Sequence, residues 1–260
     1  MNFVLPLASR RALEMTHQWR KSPVRGFVGG RIDLISHQLY IAQEVGNRIA
    51  PRVLLSDEVG LGKTIEAGLI LHRQLITGCT SRALILVPES LVHQWFVEML
   101  RKFNVWVNIF DEERCTAIEK VHPDTNPFLD DQVILTSINF LASHAKRAEQ
   151  AKEAGWDLLV VDEAHHLEWS EAEPSEEYQL VDSLSRETQG LLLLTATPEQ
   201  LGQESHFARL RLLDPDRYSD LDHYKEETEQ FADIAPIATA LHEGMTLTTE
   251  QRKALDAMPG

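Results

Sequence analysis

Short apolar runs alternate with longer stretches of helical spacing along most of the chain. Six of these runs have the length of a strand: 53–55, 83–87, 105–110, 132–136, 157–161 and 190–194. In several of them the apolar residues are consecutive rather than alternate, which is typical of strands covered on both faces, as in parallel α/β sheets. The pattern therefore predicts an α/β fold in which a parallel sheet is flanked by helices.

The stretches between the apolar runs predict helices, and several carry a recognisable start signal. Helical spacing of apolar residues begins near Ser36. Ser90, Ser137 and Ser175 are suitable N-cap residues for later helices, because a serine hydroxyl can accept a hydrogen bond from a free backbone N–H of the first turn. The helix after Ser137 is predicted to extend to Ala154 without interruption.

Composition divides the chain into three predicted parts. Residues 1–31 combine a short helical pattern with a loop rich in Gly and Pro, and we interpret them as a flanking segment. Residues 32–218 contain all six apolar runs and are predicted to form one α/β lobe. Residues 219–260 are acidic, helical in pattern and without a run of strand length, which predicts a helical extension.

A glycine-rich loop lies between the first apolar run and the helical stretch that follows it. The sequence DEVGLGKT contains Gly60, Gly62, Lys63 and Thr64. Glycines let the backbone approach phosphate oxygens, and the N–H groups at a helix start favour an anion. Lysine would supply a cation to the phosphates and threonine a hydroxyl to Mg²⁺. The strict phosphate-loop pattern has glycine where this chain has Asp57, so a chance glycine turn before a helix is the alternative.

Carboxylates and hydroxyls follow two later apolar runs. Asp162 and Glu163 come directly after 157–161, and Thr195 and Thr197 end the last run. The carboxyl ends of parallel strands are where α/β folds bind ligands, so the two carboxylates are candidates for holding Mg²⁺ and polarising an attacking water. The alternative is a structural pair at a strand end. The threonines are candidates for hydrogen bonds to the carboxylates or for capping the next helix.

Charge and cysteine content narrow the class of protein. Forty acidic against 25 basic residues give a net charge of −15, which argues against affinity of the whole surface for nucleic acid or anionic membranes. No apolar run approaches the length that spans a bilayer, so no membrane partner is expected. The two cysteines, Cys79 and Cys115, have no CxxC spacing, which fits a reducing, cytoplasmic location.

Four segments in order resemble one known family. They are DEVGLGKT (57–64), LVPESLVHQW (86–95), DEAH (162–165) and LLLLTATP (191–198), with Gln38 upstream. Together they resemble the motifs of superfamily 2 helicase-like ATPases, in the first of their two RecA-like lobes. The form DExGxGKT is that of the Swi/Snf branch and accounts for Asp57. The further segments HQLYIAQEVG and DEAHHLEW resemble bacterial members that associate with RNA polymerase.

The resemblance implies a three-layer P-loop fold, the cofactors ATP and Mg²⁺, and a role for each motif residue. Lys63, Asp162 and Glu163 are implied to be catalytic, Thr64 and Asp162 to hold Mg²⁺, and Gln38 to contact adenine. His165, Thr195 and Thr197 are implied to couple hydrolysis to motion. The implied nucleotide-binding residues are Gln38, Asp57, Glu58, Val59, Gly60, Leu61, Gly62, Lys63 and Thr64.

The resemblance also implies an activity and partners. The family translocates on double-stranded DNA, and its polymerase-associated members bind RNA polymerase core or holoenzyme and promote its recycling during transcription, in the cytoplasm at the nucleoid. No second set of buried strands is recognisable, so the chain is expected to be one lobe, nearly inactive alone. Two alternatives stay open: a nucleotide-dependent protein-docking module, and a lobe of a DEAH-type helicase or restriction translocase.

Overall fold

The structure is a computed structural model that describes residues 32, 35–56, 62–196 and 202–229. Six strands form one sheet: β1 (Arg52–Ser56), β2 (Ala83–Val87), β3 (Asn108–Phe110), β4 (Val133–Ser137), β5 (Leu158–Val161) and β6 (Gly190–Thr195). The helices are α1 (Ser36–Gly46), α2 (Lys63–Thr77), α3 (Val92–Glu98), α4 (Glu112–Val121), α5 (Ile138–Ser143), α6 (Ala145–Glu153), α7 (Glu176–Glu187) and α8 (Gly202–Leu213).

All six strands are parallel and lie in the order β1-β6-β5-β2-β4-β3. β6, the last strand in the sequence, therefore lies between β1 and β5, with Leu54 opposite Leu193 and Val160 opposite Leu192. This pairing brings the carboxyl ends of β1, β5 and β6 side by side. The predicted α/β fold with a parallel sheet flanked by helices is confirmed.

Two apolar cores cover the two faces of the sheet. Within β2, Leu84 and Leu86 contribute to one core and Ile85 and Val87 to the other, because successive side chains of a strand point to opposite faces. Helices α1, α2 and α3 pack in the second core, and α4 to α8 in the first. All five residues of β2 are buried, which explains why its sequence is apolar throughout rather than alternating.

The predicted helix from Ser137 to Ala154 is interrupted at His144. This residue has φ −127° and ψ 84°, outside the helical region, and separates α5 from α6. The backbone carbonyl of Phe140, which a continuous helix would pair with the N–H of His144, lies 2.8 Å from the Nδ1 atom of His144 and 3.2 Å from the hydroxyl of Ser143. Side-chain hydrogen bonds that compete with the helix ladder account for the break.

The predicted strand at 105–110 is shorter in the structure, because β3 begins at Asn108. A π-helical turn (Met99–Phe103) follows α3, and Asn104 after it adopts a left-handed conformation with φ 53°. The N–H of Val105 then bonds to the carbonyl of Met99 at 3.1 Å, so these residues close the helix instead of joining the sheet.

The chain after α8 is helical where it is described. Residues 221–229 form a helix, and no strand occurs between 202 and 229, while the rest of the predicted extension lies outside the described residues. Within the described ranges, no helix combines the length and the apolar character needed to cross a membrane.

Candidate nucleotide-binding site

A cavity of about 360 Å³ lies at the carboxyl edge of the sheet, where β5 and β6 end and α2 begins. The start of α2 contributes Lys63 and Thr64, and the end of β5 contributes Asp162 and Glu163. The two pairs lie far apart in the sequence. The parallel pairing of β1, β6 and β5 brings them together, as predicted from the position of the motifs at strand ends.

The glycine loop turns into α2 through Gly62, which adopts a left-handed conformation with φ 87°. Lys63 is the first residue of the helix, so Lys63 and Thr64 stand at the positive end of a 15-residue helix dipole. The charge of Lys63 acts on the carboxyl group of Asp162 and favours its ionised form. The loop residues Asp57, Glu58, Val59, Gly60 and Leu61 lie outside the described residues.

Gln38 lies directly beside this turn. It is buried at 3% exposure on α1, and its Nε2 atom lies 2.6 Å from the point where a β-carbon on Gly62 would stand. Any larger residue at position 62 would therefore displace the Gln38 amide as well as strain the backbone. The structure thus places Gln38 next to the end of the glycine loop.

Asp162 is held from two directions at the end of β5. The indole N–H of Trp95 donates a hydrogen bond of 2.7 Å to its Oδ2 atom, and the backbone N–H of Glu163 donates one of 2.8 Å to its Oδ1 atom. Burial raises the pKa of Asp162 above its ordinary value, while these two donors and the charge of Lys63 oppose that shift.

Glu163 has a strained backbone, with φ 50° in the left-handed region that residues other than glycine rarely adopt. Its Oε2 atom lies 3.0 Å from the Nδ1 atom of His165, in an orientation that does not form a hydrogen bond. Burial lowers the pKa of His165, and the neighbouring His166 and Arg209 lower it further. Residues other than glycine that adopt the left-handed conformation occur mainly at functional sites. Glu163 is such a residue, and its carboxylate lines the cavity.

The last strand contributes Thr195 and Ala196. Ala196 lines the cavity, whereas Thr195 is fully buried and its Oγ1 atom has no hydrogen-bond partner among the described residues. The structure therefore shows no hydrogen bond from Thr195 to Asp162 or Glu163. Thr197 lies outside the described residues.

Helix α3 and the turn after it form a wall of the cavity that the sequence analysis did not identify. Gln94, Glu98 and Lys102 line it, four residues apart, with 3.3 Å from Gln94 Nε2 to Glu98 Oε1 and 3.5 Å from Lys102 Nζ to Glu98 Oε2. The spacing was a detectable signal, because residues four apart share one face of a helix. Which face meets the cavity depends on how α3 packs on the sheet, and the sequence does not show that.

A second cavity of about 480 Å³ shares Asp162 and Glu163 with the first. Its other lining residues include Pro88, Asn139 and Glu177, from the segments that follow β2, β4 and β5. The two carboxylates thus line both cavities, which lie at the same edge of the sheet.

The parallel sheet flanked by helices, with a cavity at the carboxyl ends of its strands, agrees with a lobe of the helicase-like ATPase class. The chain belongs to the SNF2-related domain family, whose model matches residues 41–257. That match favours the Swi/Snf branch over the DEAH-type helicase that the sequence motifs left open.

Among its relatives are proteins named RNA polymerase-associated protein RapA. The RapA proteins of Vibrio campbellii and Vibrio atlanticus are 59% and 58% identical to this chain over 254 residues. The alignments cover 98% of this chain and 26% of each relative, so the chain spans about a quarter of their length. The resemblance to the polymerase-associated bacterial members is confirmed.

Two solved structures share the fold. The SWI2/SNF2 ATPase core of Sulfolobus solfataricus, solved in complex with double-stranded DNA, superposes with a TM-score of 0.61 at 19% identity and covers 86% of this chain and 43% of that chain. The Hef helicase domain of Pyrococcus furiosus gives a TM-score of 0.53 at 21% identity and covers 68% of this chain and 35% of that chain. At these identities the comparison concerns the fold alone, and it agrees with a RecA-like lobe.

Proposed function

We propose that this chain is the ATP-binding lobe of a DNA-translocating ATPase that associates with RNA polymerase. The observation that carries the proposal is the convergence of Lys63 and Thr64 with Asp162 and Glu163 on one cavity. A helix start with a lysine offers the electrostatic environment that a triphosphate needs, and paired carboxylates at the adjoining strand end offer the metal ligand and the base.

The donor set fits Mg²⁺. Thr64 contributes a hydroxyl and Asp162 a carboxylate, and these are the hard oxygen donors that Mg²⁺ prefers. Each oxygen of Asp162 accepts one hydrogen bond and keeps a lone pair for a metal or its bound water. We therefore propose that Thr64 and Asp162 hold the ion, which when bound neutralises charge on the phosphates.

The remaining roles follow from position. Lys63 and the backbone of the loop from Asp57 to Gly62 bind the phosphates, and Gln38 beside Gly62 presents its amide to the adenine. Glu163 polarises the attacking water, since its carboxylate lines the same cavity. His165, in contact with Glu163, and the threonines Thr195 and Thr197 transmit the state of the nucleotide to other parts of the motor.

The boundaries of the lobe and its dependence on other domains of the whole protein are also proposals. We place the lobe at 32–218, with a flanking segment at 1–31 and an acidic helical extension at 219–260. The relatives are about four times as long as this chain, and in phosphoryl-transfer motors an arginine from another domain contributes roughly 10³–10⁵ in rate. We infer that this lobe binds nucleotide alone and hydrolyses it efficiently only with the rest of the protein.

The proposed partners follow from the names of the relatives and of the structural neighbour. The RapA proteins are named as RNA polymerase-associated, and the Sulfolobus core was solved with double-stranded DNA. We infer that the complete protein binds RNA polymerase and duplex DNA. From the family resemblance we further propose that it acts in polymerase recycling and is found in the cytoplasm at the nucleoid.

Substitution of the helix-start lysine tests the proposal. Lys63→Ala removes the cation at the phosphates, so we expect its affinity for Mg-ATP, measured by calorimetry, to fall by at least tenfold. Lys120→Ala is the matched control, because Lys120 is an exposed lysine in the last turn of α4. Equal affinity of Lys63→Ala and wild-type chains would contradict the assignment of the phosphate site.

A further inference from the structure

The hydrogen bond between Trp95 and Asp162 joins two elements that are distant in the sequence. Trp95 lies on α3 and is 1% exposed, and its indole N–H reaches the carboxylate at 2.7 Å across a separation of 67 residues. A second donor to this carboxylate, within the part of the chain that the structure describes, is the backbone N–H of the next residue, Glu163. Trp95 therefore ties Asp162 to a different part of the fold.

A buried indole N–H needs an acceptor, but that acceptor need not be a carboxylate. Trp156 has a neutral acceptor: it is 4% exposed and donates to the backbone carbonyl of Ala151 at 2.7 Å. The indole of Trp95 instead points to a charged group that faces a cavity. A hydrogen bond to a charged acceptor is shorter and stronger than a neutral one, so this contact restricts the orientation of the Asp162 side chain.

Helix α3 is itself locked to the helix that begins with Lys63. The π-helical turn after α3 brings Phe103 against Gly68 of α2, where a β-carbon would overlap the Phe103 ring. Met99 and Phe103 are fully buried at this contact. Trp95 belongs to the same helical segment and donates to Asp162. The segment therefore connects Asp162 with α2, the helix that carries the proposed phosphate-binding lysine.

We propose that Trp95 is a positioning residue for Asp162. It holds the carboxylate in the orientation in which Asp162 faces the Mg²⁺ of a bound nucleotide. It also fixes the position of that carboxylate relative to Lys63. This inference rests on the proposed nucleotide site. Loss of an outer hydrogen-bond partner of a metal ligand typically costs about 10- to 100-fold in metal affinity.

Trp95→Phe is the direct test, because it keeps an aromatic ring in the core and removes only the N–H donor and part of the ring. Binding of a non-hydrolysable ATP analogue is measured by calorimetry in EDTA and over a range of Mg²⁺ concentrations. We expect the affinity in EDTA to stay within about twofold of wild type, because the phosphate contacts are intact. The Mg²⁺ concentration that gives half of the gain in affinity should rise at least tenfold.

Trp156→Phe is the matched control, since it removes an equally short indole hydrogen bond from an equally buried residue outside the site. We expect its Mg²⁺ dependence to equal that of wild type. If Trp95→Phe does not fold, 3-benzothienylalanine at position 95 keeps the bicyclic shape, replaces the N–H by sulfur and should give the same rise. An unchanged Mg²⁺ midpoint overturns the proposal, and so does an equal loss of affinity in EDTA and in Mg²⁺.

The same titration separates this inference from the proposed function. If the wild-type chain binds no nucleotide with or without Mg²⁺, the nucleotide site is wrong and the role of Trp95 falls with it. If the wild-type chain binds Mg-nucleotide, Lys63→Ala weakens binding at least tenfold and Trp95→Phe matches wild type at every Mg²⁺ concentration, only the role of Trp95 is overturned.

Discussion

Asp162 and Glu163 are adjacent in the sequence but lie in different environments. Asp162 is 9% exposed and held by two hydrogen bonds, whereas the side chain of Glu163 is 29% exposed and lines the cavity. A fixed carboxylate suits a metal ligand, and a more accessible one suits a group that polarises water. The structure thus gives a physical reason for assigning the two carboxylates different roles.

Replacement of the second carboxylate separates binding from chemistry. Glu163→Gln keeps the size of the side chain and removes its basicity, so in the complete protein we expect unchanged ATP affinity and a fall in turnover of about 10²–10⁴. Steady-state phosphate release measures the effect, with Glu171→Gln at an exposed loop position as the control. Turnover within threefold of wild type would remove Glu163 from the role of general base.

The sequence predicted which side chains meet at the site but not how they are held. Lys63, Thr64, Asp162 and Glu163 were predictable because loop, helix start and strand end are local features with local signals. Trp95 is buried. Its bond to Asp162 depends on the packing of α3 against β5, which no local pattern in the sequence encodes.

Between elements, one buried arginine connects α4 and α6. Arg147 is 4% exposed and donates to both Glu112 and Glu119, at 2.7 Å and 2.6 Å. The hydrogen bonds from Arg147 lower the pKa of each glutamate to about 2. Because both glutamates are partly exposed, solvent weakens the pairing, yet the depressed pKa values show that folding favours their charged forms.

The linkage between these pKa values and folding predicts a change of stability with acid. A carboxylate whose pKa is lower in the folded state stabilises the fold above its unfolded pKa and loses that contribution as the pH falls through the folded value. We expect Arg147→Met to lower the free energy of unfolding by about 1–3 kcal/mol at pH 7. The difference from wild type should shrink between pH 5 and pH 2.

Urea unfolding at several pH values measures this difference, with Arg186→Met as the control. Arg186 pairs with Asp182 on one exposed helix face, so its removal should have little effect at any pH. A difference for Arg147→Met that stays constant between pH 7 and pH 2 would contradict the assigned pairing.

The boundaries of helices and strands were predicted correctly where one local sequence signal dominates. They were wrong where side-chain hydrogen bonds or an irregular turn interrupt the regular backbone pattern. Most strands of the sheet were evident as apolar runs, because burial on both faces requires them. The interruption at His144 and the late start of β3 at Asn108 arise from side-chain hydrogen bonds and from the π-helical turn. Apolar periodicity carries no information on either.

At the scale of the whole molecule, the order of the strands determines which residues meet at the site. Apolar runs predict that six strands exist, but they do not show that the last strand inserts between the first and the fifth. That insertion brings the end of β5, with Asp162, within reach of the start of α2.

The central claim is that this chain is the nucleotide-binding part of a larger DNA-dependent motor. The most direct measurement is a calorimetric titration of the wild-type chain with Mg-ATP, followed by turnover with and without duplex DNA. The account predicts saturable binding that Lys63→Ala weakens at least tenfold, together with negligible turnover that DNA does not stimulate. Absence of binding would contradict the nucleotide site, and robust DNA-stimulated turnover would contradict the claim that further domains are needed.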